Sequence, residues 1–255
     1  MNLPDILARL DFERRTISYD GDRLEALPLV TRLAAGSFHS VIFSALSGAS
    51  ADQAIAGEIE HHRGLKIPFE WKVFAHDKPA DLRARLEGRG FTIGEQEAVL
   101  VCPIMPPAAW VTDTDTSSIR RVTHINQLAH YDAVQRDAFG ESNDHILASL
   151  AEALRKNSTQ HTAFIAYDGD LPVAIGRLYT HPQSHFAGLY GGGTIRSHRG
   201  KGFYRALVAA RAGVAATHNA RYLQVDARPT SRPILERLGF VHLTDTWPCE
   251  WNPSA

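Results

Sequence analysis

The sequence predicts an α/β protein, and three observations carry that expectation. A β-like run, Ala187 to Ile195, enters a basic, glycine-containing turn, Arg199-Gly200-Lys201-Gly202, that opens a helical pattern. Phe203, Ala206, Leu207, Ala210 and Val214 recur there at three- and four-residue spacing, as on an amphipathic helix. After residue 119, strand-like runs and amphipathic helices follow one another. A short helix running into Gly-Phe occurs twice, ending at Phe91 and at Phe240.

Along the chain, the start reads as polar-interrupted with no signal-peptide core, and no apolar stretch approaches the roughly 20 residues that span a bilayer. His61-His62 fall in a polar helical stretch without metal-ligand partners at useful spacing and read as surface residues. Residues 70–75 read as a strand and 81–91 as the first short helix. Prolines and small polar residues from Cys102 to Ser118 read as a linker at 105–118, dividing 1–104 from 119–255. Beyond it come a strand at 119–123 and helices at 126–139 and 143–156. Strands at 162–167 and 171–180 are joined as a hairpin by Asp168-Gly169-Asp170, and a third strand spans 186–195. After the 203–214 helix follow a strand at 221–226, the second short helix at 231–240 and a final pair of strands.

Leu86-Glu87-x-x-Gly90-Phe91 matches Leu235-Glu236-x-x-Gly239-Phe240 position for position, which supports an internal duplication. The N-terminal copy lacks the basic turn. Its nearest candidate, Arg63-Gly64-Leu65-Lys66-Ile67-Pro68, has no second glycine and runs into proline. Composition fits an ordinary globular protein, 44% hydrophobic and 22% charged. A net charge of −1 argues against broad binding to nucleic acid or anionic membrane. Cys102 and Cys249, far apart in sequence, indicate neither a disulfide framework nor a zinc site. A soluble cytoplasmic protein is expected.

A strand, a basic glycine turn and a helix N-terminus form a cradle for phosphate, because the first helical N–H groups have no intrahelical partner and the helix dipole favours negative charge there. The dinucleotide pattern G-x-G-x-x-G fails at Arg205, and the triphosphate loop fails because Phe203 follows Gly202. The turn resembles the acetyl-coenzyme A loop of the GNAT superfamily of N-acetyltransferases, Gln/Arg-x-x-Gly-x-Gly/Ala. Arg199 and Gly202 fill its first and fourth positions, with Tyr204 in place of the last Gly or Ala. The strand at 221–226 and the Leu-Gly-Phe ending of 231–240 follow in that family's order.

The resemblance implies a mixed, mostly antiparallel sheet flanked by helices, in tandem with a smaller, related N-terminal half. It implies transfer of acetyl from acetyl-coenzyme A, as co-substrate and without metal, to a small-molecule primary amine by direct attack in a ternary complex. Backbone groups of Arg199, Gly200, Lys201, Gly202, Phe203, Tyr204 and Arg205 would hold the pyrophosphate, with Arg199 and Lys201 adding charge. Gly192, Gly193 and Thr194 would face the pantetheine arm, with Ser231 counted among the cofactor residues. Three successive glycines at 191–193 fit close approach by a ligand; a plain β-bulge is the alternative.

The family's acid and base positions are both altered. Gly188 stands where many members carry a carboxylate, and Leu235 where many carry a tyrosine. In an extended strand Tyr190 shares the face of Gly188, so its hydroxyl can substitute or its ring can line the acceptor pocket. Asp226 can act as base or ammonium ligand, or cap a helix, or pair with Arg228. A catalytically silent acetyl-coenzyme A-binding module is the alternative function. A transferase using aminoacyl-tRNA is disfavoured by the absent basic surplus. The oligomeric state is open, a homodimer being one option.

Overall fold

The computed structural model describes residues 1–253. The chain runs α1 (Leu3–Thr16), β1 (Asp22–Ala26), β2 (Val30–Ala35), β3 (Phe38–Ser44), α2 (Ala51–Leu65), β4 (Phe69–Phe74), α3 (Leu82–Glu87), β5 (Thr92–Ile93) and β6 (Glu97–Pro103). It continues through α4 (Ala109–Thr112), β7 (Ile119–Arg121), α5 (Leu128–Phe139), α6 (Asp144–Arg155), β8 (His161–Asp168), β9 (Leu171–Tyr179) and β10 (Phe186–Thr194). It ends with α7 (Phe203–Ala216), β11 (Tyr222–Ala227), α8 (Arg232–Arg237) and β12 (Val241–Trp251). Two compact units emerge, residues 1–100 with 226–253, and residues 101–225.

In the first unit the strand order is β1-β2-β3-β4-β12, with β5 beside β12. β1, β2 and β3 are antiparallel neighbours, β3 and β4 run parallel, and β12 returns antiparallel along β4 from Thr246↔Phe74 to Trp251↔Phe69. The parallel pair needs a crossover, and α2 supplies it. Lys66, in the left-handed conformation at φ 57°, stops that helix. Trp71, Ile55, Leu86, Val41 and Cys249 are fully buried in this unit's core.

In the second unit the order is β7-β8-β9-β10-β11. β7 to β10 are antiparallel; β10 and β11 are parallel over Phe186↔Tyr222 to Gly188↔Gln224, with α7 as the crossover. α6 starts where the Asn143 side chain accepts the Ile146 N–H at 3.1 Å. Tyr131, Val134, Leu150, Ile165 and Ile175 join α5 and α6 to one face of these strands.

The Leu-Glu-x-x-Gly-Phe match is also a match of structure. Gly90 and Gly239 take φ 88° and 89°. Phe91 N–H donates to the Leu86 carbonyl and Phe240 N–H to that of Leu235, both at 3.1 Å. Leu86 and Leu235 are fully buried. Both helices therefore stop in one and the same way.

Several expectations need correction. The last β segment is one strand, β12, which runs unbroken from Val241 to Trp251 through Asp245 and Pro248, held along β4 from Thr246 to Trp251. Residues 226–253 pack with the first hundred, so compactness does not follow the 105–118 boundary. Within that linker, α4 forms a single helical turn and packs on α7. Residues 63–65 close α2, so the segment before the first crossover helix is 45–50 rather than 63–68. His62 is buried, stacked on Phe69 at 3.9 Å between ring centroids, not on the surface.

Candidate functional site

β10 pairs with β9 up to Tyr190↔Arg177 and again from Gly193↔Ile175, with a bulge between. A Cβ on Gly192 would lie 2.9 Å from the Tyr204 ring, and one on Gly193 2.7 Å from the Phe139 ring. The expected close approach is thus made by the chain's own aromatic rings, and the bulge is present as well. Only the backbone of Gly192 and Gly193 is left to meet a ligand. Beside them the Thr194 hydroxyl is buried with no hydrogen-bond partner.

The turn that follows is held from behind. Arg196 N–H donates to Asp137 at 2.9 Å, and His198 lies 3.2 Å from the Asp168 carboxylate. Arg199 donates from Nε to the Thr194 carbonyl (3.2 Å) and from Nη2 to that of Ala138 (3.4 Å). Its guanidinium thereby ties the turn to β10 and to the end of α5. Arg205 Nε reaches the Thr114 hydroxyl at 3.1 Å. Lys201 has no ion-pair partner among the described residues.

Gly202 occupies the N-cap of α7 at φ 91°, a conformation strained for any residue with a Cβ, and nothing stands within 4 Å of where one would sit. The first bond into the helix is Ala206 N–H to the Gly202 carbonyl at 3.0 Å. The N–H groups of residues 200 to 205 consequently have no backbone acceptor. Six donors over one turn, ahead of a 14-residue helix, suit a polyanion. The residues present thus fit a coenzyme A pyrophosphate.

Below the bulge lies Arg211, fully buried, donating to the Leu207 and Arg177 carbonyls at 3.1 Å each. Burial lowers its pKa, and no carboxylate figures among the charges acting on it. Burial also pushes the Tyr204 hydroxyl up. Sequence reading missed both Arg211 and Arg177. An arginine on the apolar side of α7, four residues after Leu207, was the available signal.

Tyr190 does share a face with Gly188. A Cβ on Gly188 would lie 2.5 Å from its ring and 3.2 Å from its hydroxyl. Asp226 is ion-paired at 2.5 Å, with Lys72 rather than Arg228, which pairs with Glu97 at 3.7 Å. Burial alone would push the Lys72 ammonium down, but Asp226 and Glu70 outweigh it and hold the pKa above the usual value. Ser231 occupies the N-cap position of α8 without a capping side-chain hydrogen bond; its hydroxyl donates instead to the Arg228 carbonyl at 3.2 Å. Both Asp226 and Ser231 belong to the first compact unit, whereas residues 190–205 belong to the second.

Antiparallel strands, a bulged central strand, an N–H-lined turn and a parallel crossover define a fold of the acetyltransferase kind. Residues 121–240 match the model of the acetyltransferase (GNAT) family. Among solved structures, a GCN5-related N-acetyltransferase from Kribbella flavida is similar at TM-score 0.68 and 15% identity, covering 96% of this chain and 94% of that one. A functionally unknown conserved protein from Staphylococcus epidermidis is similar at TM-score 0.68 and 14% identity, with 93% and 98% covered. A tandem GNAT protein from the clavulanic acid biosynthesis pathway follows at TM-score 0.58 and 11% identity, with 96% and 87% covered. At such identities the likeness is one of fold. No curated protein matches the chain in sequence. Among the described residues no helix is long and apolar enough to cross a membrane.

Proposed function

We propose that the chain is an acetyl-coenzyme A-dependent N-acetyltransferase with one donor site, at residues 192–205. The observation that carries this reading is the set of open N–H groups from 200 to 205 at the start of α7. Lys201 adds charge at the same turn, and the Thr194 hydroxyl and the bulged backbone line the approach to it. Acetyl-coenzyme A, when bound, would supply a thioester whose C–S bond breaks as the neutral amine nitrogen bonds the acetyl carbon, and the proton lost by the amine would end on the departing thiolate, giving amide and free thiol. Positioning accounts for most of such a rate. Tyr190, with its ring over Gly188, stands where the family's carboxylate is missing and passes the amine proton onward, directly or through water.

The N-terminal half is a related copy that has lost the donor site. Its parallel crossover β3–α2–β4 and the repeated Leu-Glu-x-x-Gly-Phe cap support that descent. The decisive experiment is calorimetric titration with coenzyme A, joined to thiol release from acetyl-coenzyme A over an amine panel. Binding with thiol release supports an enzyme; binding with no release over the whole panel would leave the silent cofactor-binding module.

A further inference from the structure

The face of the second unit's sheet that packs on α5 and α6 carries a polar cluster outside the donor turn. Ile175 belongs to that face, so Arg177 and Tyr179 do too by alternation. The register places Tyr190 opposite Arg177, Gly188 opposite Tyr179, and His161 opposite Tyr179 on the other side. His161, Tyr179 and Tyr190 form a row of rings across three strands, with centroids 4.3 Å and 4.8 Å apart. Beside His161 opens a cavity of about 180 Å³ lined also by Val122, Leu150 and Leu154.

Arg177 lies along this row, 5.7 Å from the Tyr179 ring centroid and 3.4 Å from its hydroxyl. The bulge brings Gly191 against the guanidinium, 3.2 Å from where a Cβ would stand. Its Nε is buried with no hydrogen-bond partner, and no carboxylate pairs with it among the described residues. The ionisable groups acting with it are His145 and Tyr131, from α6 and α5, Tyr179 beside it, and the equally uncompensated Arg211 on the opposite face. A half-buried guanidinium whose Nε has no acceptor, backed by a second guanidinium and faced only by neutral or cationic groups, matches a carboxylate. A polycationic amine would meet repulsion there.

We infer that Arg177 anchors a carboxylate of the acceptor, beside Tyr190 and Gly188. The substrates are then small amines that carry a carboxylate, amino acids among them, rather than polyamines; this rests on the acetyltransferase reading above. The probes are N-acetylglycine and N-acetyl-L-phenylalanine against their carboxamides, titrated calorimetrically into the full chain with and without coenzyme A. The carboxylates are expected to bind at least tenfold tighter than the amides. Arg177→Gln erases that difference by weakening the carboxylates alone, and Arg177→Lys restores part of it. A purely structural arginine would shift acid and amide together. Equal binding of acid and amide, binding of neither, or equal weakening of both in Arg177→Gln overturns the inference. Coenzyme A failing to bind would strike the acetyltransferase reading instead, while the acid–amide difference without it still decides the role of Arg177.

Discussion

The two crossover segments, β3–α2–β4 and β10–α7–β11, share a topology and differ in what their loops leave unsatisfied. Each joins parallel strands through a helix, and each first strand is bulged against its antiparallel neighbour. Before α2, residues 45–50 close on themselves. Ser47 N–H donates to the Ser50 hydroxyl at 2.9 Å, Ser50 N–H returns to that of Ser47 at 3.2 Å, and Ala51 N–H reaches the Ser47 carbonyl at 3.0 Å. Asp52 then places negative charge in the first helical turn, held by Arg85 at 2.8 Å. Before α7 the loop is basic and its N–H groups stay open. A fit to anions thus depends on unspent donors and charge sign, which a crossover permits without supplying.

The repeated cap gives the widest test. Leu86→Ala and Leu235→Ala should each lower the unfolding free energy by about 2–5 kcal/mol, since both side chains are fully buried. Urea denaturation should find the two losses similar, and a cap that tolerates its alanine would break the structural equivalence. At the donor turn, Gly202→Val forces a branched residue to φ 91° and should weaken coenzyme A roughly 100-fold, consistent with strain of ~1–3 kcal/mol plus lost backbone fit. The matching change in the first loop, Gly48→Val, should leave the affinity within about twofold. Lys201→Ala should cost about 1 kcal/mol of binding and flatten its salt dependence. One coenzyme A per chain is the expected stoichiometry throughout; two would show that the closed loop opens.

The smallest effect concerns pH. Burial lowers the pKa of His62 on α2, against the opposing Glu58 carbonyl and carboxylate, so the folded protein keeps this ring neutral below the ordinary value of about 6.5. The unfolded chain takes up the proton first, and stability falls as pH drops below about 6.5. His62→Phe should make melting temperature less acid-sensitive between about pH 7 and 5, a change read by calorimetry. No histidine lies on α7, so changes on that helix should leave the slope alone.

Much of this was legible in sequence where the signal is local. The 203–216 helix, the 161–179 hairpin and both Gly-Phe caps are encoded by spacing and turn chemistry within a few residues. The first three strands were not legible. β1 in particular is short and only partly buried, with no alternation to read. Glycines 191–193 announced a close approach but not its agents, because Tyr204 and Phe139 arrive from other elements. The partner of Asp226 is 154 residues away in sequence, beyond any local pattern. Arg177 was invisible for a similar reason: an arginine in a strand says nothing about whether a carboxylate will face it.

The pairing of β12 with β4 bears on how the protein is made. One edge of β4 stays unpaired until Thr246, Cys249 and Trp251 have been made, after residues 101–225. Residues 101–225 hold the pairings from β7 to β10 and most of β11, so this unit can pair these strands before β12 has been made. The second unit is therefore expected to complete its sheet before the first. A fusion or truncation at the C-terminus should injure the N-terminal unit first.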